Sequence, residues 1–233
     1  MLSVIIPTFN EEDYLPGLLT AIKKQEYEDY EVIVADAGSK DKTVEIAKSF
    51  GAKVVAGGLP AKGRNEGARA ANGSLLMFLD ADIVSLPERF FKDAVSEFKR
   101  RNAGVVSFPV FVAGKKIDKL AYLIYNVWAW ISQKFLPHAS NAILVRKEVH
   151  NRINGFDEEI KIAEDHDYAR RAAKISKFAF FVTPPILTSA RRLERDGRVR
   201  IYLKYCWAEI LTTFFGPVKS RNFKYEFGHY KSK

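Results

Sequence analysis

Two carboxylates one residue apart, Asp80 and Asp82, close an apolar run that reads Leu75 Leu76 Met77 Phe78 Leu79. A run with no polar interruption predicts a strand buried on both faces. The chain then leaves the core directly at Asp80, where an unpaired carboxylate is costly. A cation is the simplest partner. Hard oxygen donors at the carboxyl end of a strand suit Mg2+ or Mn2+ carrying a phosphorylated substrate; the plain alternative is a strand end with two solvated acids. Asp36 ends another apolar segment and is suited to accept hydrogen bonds from a base or a ribose hydroxyl.

The elements that must position these groups alternate. Leu2–Pro7, Glu31–Asp36 and Ala52–Ala56 read as strands. Between them come a helix carrying Leu15, Leu18, Leu19 and Ile22, which Asp13 can cap, and a helix from Thr43 to Phe50, which Asp41 can cap. Residues 57–63 read as loop and Arg64–Ala71 as a helix leading into the strand before Asp80. Alternation of this kind predicts a mostly parallel, Rossmann-like sheet with right-handed crossovers. No GxGxxG follows the first strand, so phosphates fall to a metal and cationic side chains. Farther on the pattern predicts a helix to Arg101, a strand over 105–112, a helix over 117–135, a strand over 141–146, a helix over 165–174, a strand over 178–182 and a helix over 199–215. The apolar stripe of the 117–135 helix, with Ile117, Leu120, Ile124, Val127, Trp128, Ile131 and Phe135, is expected to cover the sheet or line a second substrate's site.

With 233 residues and 47% hydrophobic content, the chain can bury a real core. Cys206 is its single cysteine, which excludes an internal disulfide and a cysteine-rich metal site. No basic leader precedes the first apolar stretch, and the longest apolar stretch, Leu120–Ile131, is too short to span a bilayer. A cytoplasmic protein follows as the expectation. The net charge of +9 is concentrated late: residues 191–233 hold eleven Lys and Arg against four acids. Such a patch suits phosphates, anionic lipid or a solvated face.

The combination of PTFNEE at the end of the first strand, DAGSKDKT from Asp36, RNEGARAANG before Asp80, and Gly155 Phe156 Asp157 followed by Glu164 Asp165 resembles family 2 glycosyltransferases of the GT-A fold. The resemblance implies a single GT-A domain over 1–215, with 1–112 binding the nucleotide and 113–215 the acceptor, a helical carboxyl-terminal extension, and a basic aromatic tail over 216–233. It implies that Pro7, Phe9 and Glu11 cradle the nucleotide and that Asp36 contacts the base. Arg64, Asp80 and Ala81 would line the nucleotide-sugar site, and Arg191 and Arg192 would lie beside the diphosphate, unless they form a plain surface pair. Asp80 and Asp82 would hold Mn2+ or Mg2+, and Asp165 would be the catalytic base, unless it or Glu164 merely caps a helix. His166 could ligate the metal, but with no second histidine nearby in sequence a hydrogen-bonding or exposed role is favoured.

The expected activity is metal-dependent, inverting transfer of one sugar from a nucleoside diphosphate sugar, since the QxxRW signature of processive synthases is missing. The aromatic 117–135 helix and the tail, with Phe223, Tyr225, Phe227 and Tyr230 among lysines, suit a lipid-linked or cell-envelope glycan acceptor and contact with the inner face of a membrane. The segment Asp80 to Val84 also fits the nucleophile motif of haloacid-dehalogenase-like phosphatases, although that motif normally closes a domain's first strand. Nucleic-acid binding by the basic end would leave the Asp80 and Asp165 segments unexplained.

Overall fold

The structure, a computed structural model, describes residues 1–160, 162–217 and 219. Every residue of the opening strand, β1 (Leu2–Thr8), is buried, as an unbroken apolar strand covered on both faces requires. Helix α1 (Leu15–Lys23) turns Leu15, Leu18, Leu19 and Ile22 into the core. Then follow β2 (Tyr30–Asp36), α2 (Thr43–Ser49), β3 (Lys53–Ala56), α3 (Pro60–Ala70) and β4 (Leu75–Leu79). β1 pairs in parallel with β2 on one side and β4 on the other, and β3 lies outside β2. The chain runs outward from β1 through β2 to β3 and returns across β1 to β4. That reversal opens a crevice at the carboxyl ends of β1 and β4, where open α/β sheets bind ligands.

The second half contributes β5 (Ile83–Ser85), α4 (Phe90–Arg100), β6 (Val105–Ser107), β7 (Val110–Ala113), α5 (Lys116–Ser132), β8 (Ala142–Arg146), α6 (Lys147–Arg152), α7 (Glu164–Ala173), β9 (Phe178–Phe180), β10 (Ile186–Ser189), α8 (Arg191–Asp196) and α9 (Arg198–Phe214). Seven strands form the central sheet in the order β3-β2-β1-β4-β8-β6-β9, with β8 antiparallel to both neighbours. A small sheet, β5-β10-β7, stands beside it. The expected Rossmann-like, mostly parallel α/β architecture is present, with α8 and α9 as its helical end.

Four local expectations change. Helix α3 starts at Pro60, four residues before Arg64, because proline is preorganised for a first helical turn. Asp13 does not cap α1, whose N-cap position is Tyr14 with no side-chain bond. The expected strand over 105–112 is broken at Phe108 and Pro109 into β6 and β7, which belong to different sheets. Most consequential, the apolar stripe of α5 does not cover the sheet: its buried residues are Asp118, Asn126, Ala129 and Ser132. Asn126 pairs with both backbone groups of Val110 at 3.0 and 2.8 Å, and Asp118 accepts hydrogen bonds from Arg198 and from the Tyr202 hydroxyl. These polar contacts fix which face points inward.

Helix α3 lies directly on β1. A Cβ on Gly67 would clash with Ile5 Cγ2, and one on Gly63 would sit 3.0 Å from Pro7 Cβ. Close approach of helix to strand is what those glycines permit. No helix among the described residues is long and apolar enough to cross a membrane. The aromatic tail residues Phe223, Tyr225, Phe227 and Tyr230 lie outside the described residues.

Candidate active site

Arg64 sits on the first turns of α3 and is 4% exposed. Its two terminal nitrogens divide between two acids: Nη2 donates to Asp80 Oδ1 at 2.7 Å and Nη1 to Glu164 Oε1 at 2.8 Å. One guanidinium thus binds the end of β4 to the start of α7, which carries Asp165. Burial opposes its charge, but Asp80 and Glu164 raise its pKa further. The next residue, Asn65, accepts from the Phe156 amide at 2.8 Å and donates to its carbonyl at 2.9 Å. Phe156 stacks on Tyr168 of α7 at 3.9 Å between ring centroids, and the Arg64 guanidinium lies 5.2 Å from the Phe156 ring centroid. The Gly155 Phe156 motif is therefore a structural wedge that holds α7 against α3.

Asp80 is the acid that the sequence left without a partner, and the cation that meets it is Arg64, joined by the Asn141 side-chain amide at 3.1 Å. A divalent ion is not required to satisfy it. Even so, burial and the neighbouring charges of Asp82 and Glu164 outweigh Arg64 and push the Asp80 carboxyl up to about 6. The cluster is short of positive charge. The Asp82 carboxylate accepts from Thr188 Oγ1 at 3.3 Å and lies 3.5 Å from Arg191 Nε. A pair of hard carboxylates with this electrostatic deficit fits Mg2+ or Mn2+. Ala81 between them is buried.

Around the crevice, Glu11 and Arg191 form a bidentate pair with both contacts at 2.7 Å, and the Arg191 guanidinium lies 4.4 Å from the Tyr14 ring centroid. The loop after β1, which carries Phe9 and follows buried Pro7, is thereby joined to the start of α8. Arg192 points elsewhere, to the Tyr205 hydroxyl of α9 at 3.2 Å. Asp36 is buried beside Thr8 and its carboxylate accepts from the Gly38 and Ser39 amides and the Ser39 and Thr8 hydroxyls, at 2.5 to 3.0 Å. Four donors fill a carboxylate's acceptor positions, so Asp36 shapes the loop that follows β2.

Asp165 occupies the first turn of α7, where no side chain caps the helix and Ala163 holds the left-handed N-cap position at φ 58°. The helix dipole favours the acids there. Burial pushes the Asp165 carboxyl up, but His166 beside it and Arg64 hold it below the ordinary carboxylate range, so it is ionised at neutral pH. His166 Nδ1 lies 3.2 Å from Asp165 Oδ1. The sequence offered no second histidine nearby, yet the fold brings His138 to 5.0 Å between ring centroids. Glu209 of α9 completes the group: its carboxylate is 3.0 Å from His138 Nε2, 3.2 Å from Arg170 Nη2 and 3.7 Å from His166 Nε2. Burial raises Glu209, but the hydrogen bond from His138 and the nearby cations bring it to about 2. The donor atoms of His138, His166 and Glu209 lie within 4.8 Å of one another, close enough for an ion, while Arg170 already balances the carboxylate. His138, Asn141, Thr188 and Glu209 have no motif that marks them; only their spatial convergence does.

The family model described as Glycosyl transferase family 2 matches residues 3–156. A glycosyltransferase of Haemophilus influenzae is 26% identical over 186 residues, 72% of this chain and 60% of that protein. The poly(ribitol-phosphate) beta-N-acetylglucosaminyltransferase TarS of Staphylococcus aureus is 31% identical over 114 residues, 45% of this chain and 20% of TarS. The chain thus spans less than two thirds of these relatives' lengths. Among solved structures, residues 1–349 of S. aureus TarS with UDP superpose with a TM-score of 0.67 at 22% identity, covering 81% of this chain and 60% of that one. The mannosyltransferase PcManGT of Pyrobaculum calidifontis, with GDP-Man and Mn2+, gives a TM-score of 0.65 at 21% identity, with 88% and 64% covered. The architecture is that of the GT-A fold, the phosphatase alternative falls away, and the chain belongs to glycosyl transferase family 2.

Proposed function

We propose that this chain transfers a single sugar from a nucleoside diphosphate sugar to an acceptor hydroxyl, with inversion and with a divalent cation. The observation that carries the reading is the Arg64 bridge, which bonds Asp80 at the end of β4 and Glu164, the neighbour of Asp165, at the start of α7. In this reading residues 1–112 bind the nucleotide, with Pro7, Phe9, Glu11, Asp36, Arg64 and Ala81 lining its side, and residues 113–215 supply the acceptor side. Asp80 and Asp82 would hold Mn2+ or Mg2+, which neutralises the charge that builds on the departing diphosphate. Structures of this fold solved with GDP-Man and Mn2+ and with UDP-GlcNAc support the donor class.

The acceptor oxygen forms its bond to the sugar's anomeric carbon as the bond to the diphosphate oxygen breaks on the opposite face. Asp165 takes the acceptor's proton. It is ionised at neutral pH and so has an acceptor position for that proton. Arg191 stands on the side where the diphosphate leaves and meets a diphosphate by exchanging part of its contact with Glu11, whereas Arg192, expected beside it, is turned to the Tyr205 hydroxyl. The same reading gives a glycan or lipid-linked acceptor and places the chain on the cytoplasmic side of a membrane.

Melting temperatures measured with UDP, GDP and dTDP and their sugars, with and without Mn2+, test the reading, since a ligand selective for the folded state raises its stability. A nucleotide-specific rise that grows with Mn2+, together with nucleoside diphosphate release from the matching sugar, is the expected result. A melting temperature that no nucleotide moves under either condition overturns the donor assignment.

A further inference from the structure

Helix α5 is turned inside out relative to an ordinary amphipathic helix. Its buried residues are polar or small, with Tyr122 the aromatic that packs on the core, while Ile117, Leu120, Ile124, Val127, Trp128 and Ile131 are 45–61% exposed. Helix α9 repeats the pattern: Ile201, Ala208 and Thr212 are buried, and Leu203, Trp207, Ile210 and Phe214 are 46–76% exposed. The two helices are tied side by side. Asp118 near the start of α5 receives Arg198 and Tyr202 of α9, and His138 just beyond α5 meets Glu209. Exposed apolar area of this extent, rimmed by charge, marks an interaction surface.

The residues on the rim say what covers it. The chain has three tryptophans, Trp128, Trp130 and Trp207, and all three are exposed on these two helices. Tryptophan concentrates where a bilayer's acyl region meets its headgroups. Lys116, Lys119, Lys134 and Arg200 are exposed on or beside the same helices. The acids of α5 and α9, Asp118 and Glu209, face inward and are paired there. A second copy docking through a two-fold interface would set these cations against each other, whereas anionic headgroups complement them. Each helix has 17 residues, too short to span a bilayer and suited to lie along its surface.

We propose that α5 and α9 form a docking face for an anionic membrane surface. The apolar stripes enter the boundary between acyl chains and headgroups, the tryptophans sit at that boundary, and the lysines and Arg200 meet lipid phosphates. The face is one layer of side chains away from the candidate base: Arg170 of α7, the helix of Asp165, bonds Glu209 of α9 at 3.2 Å. A membrane-borne acceptor would therefore reach the crevice from the side on which the protein is seated. Docking goes beyond the transfer reading and does not depend on it.

The test is sedimentation of the full chain with vesicles of phosphatidylcholine alone and of phosphatidylcholine mixed with phosphatidylserine. Binding to the mixed vesicles, weakened by salt and much lower on phosphatidylcholine alone, is expected. Each of Lys116→Gln, Lys119→Gln and Lys134→Gln should lower partitioning about fivefold. Ile124→Glu combined with Ile131→Glu should abolish it while leaving the circular dichroism spectrum and nucleotide-dependent melting shift unchanged, because both side chains are exposed. Protein that stays in the supernatant with both vesicle types overturns the proposal. So does a stable dimer, seen by sedimentation velocity, that these two substitutions dissociate, since the face would then belong to a second copy. Neither failure touches donor binding, which the melting shifts read separately.

Discussion

The Arg191 guanidinium and the Glu11 carboxylate form two contacts of 2.7 Å across 180 residues of sequence, closing the loop after β1 against the start of α8. Glu11 is 5% exposed, so Arg191→Ala leaves a buried carboxylate without its bidentate partner. Breaking such a pair costs about 3 kcal/mol, and the half-buried arginine makes that an upper figure. The double variant Arg191→Ala with Glu11→Gln should recover part of the denaturation midpoint without recovering the donor-induced melting shift. Recovery of both would mean that Arg191 acts only as a strut.

Asp165→Asn keeps the shape of the residue and removes the proton acceptor. Turnover should fall by about 10²- to 10⁴-fold, with the nucleotide-induced melting shift intact. Single-turnover sugar transfer separates the two effects. A variant that keeps most of its turnover removes the base assignment.

Gly67→Ala places a methyl group in clash with Ile5 Cγ2. Overpacking of this kind costs about 1–3 kcal/mol, and relief requires α3 to lift from β1. Since α3 carries Arg64, the variant should lose donor affinity along with its denaturation midpoint. An exposed control such as Gly17→Ala, which meets nothing within 4 Å, should not lose donor affinity.

His150 titrates far below its ordinary range. Burial, with the nearby charges of Arg171, Lys147 and Arg69, lowers it to about 4, and its Nδ1 lies 2.9 Å from the Tyr168 hydroxyl. Between about pH 6.5 and pH 4 the unfolded chain binds this proton and the folded chain does not. Stability contributed by the neutral ring is therefore complete above pH 6.5 and lost as pH falls toward 4, by about 3 kcal/mol. Urea titrations across that window should show the decline, and His150→Asn should flatten it at the expense of a lower plateau.

The sheet edge that carries Asp36 and Asp80 was legible because its signals are local. An apolar run that stops at Asp80 and a strand that stops at Asp36 each report a backbone requirement within a few residues, whereas the close approach that Gly63 and Gly67 permit showed only in the fold. The sheet followed from strand and helix alternation for the same reason. What could not be read was who meets whom: that Arg64 and not a metal alone answers Asp80, that His138 and Glu209 close around His166, and that Phe108 and Pro109 split one apolar segment between two sheets.

Helix α5 marks the boundary most clearly. Its residues alone determined that it is a helix and which side is apolar, since periodicity depends only on backbone geometry. Which side faces the protein was decided by partners distant in sequence. Val110 offers Asn126 its backbone groups, and Arg198 and Tyr202 offer Asp118 their donors. Buried polar groups must be paired, so those long-range bonds turned the polar face inward and left the apolar one outside, a choice that exists only once the chain is folded.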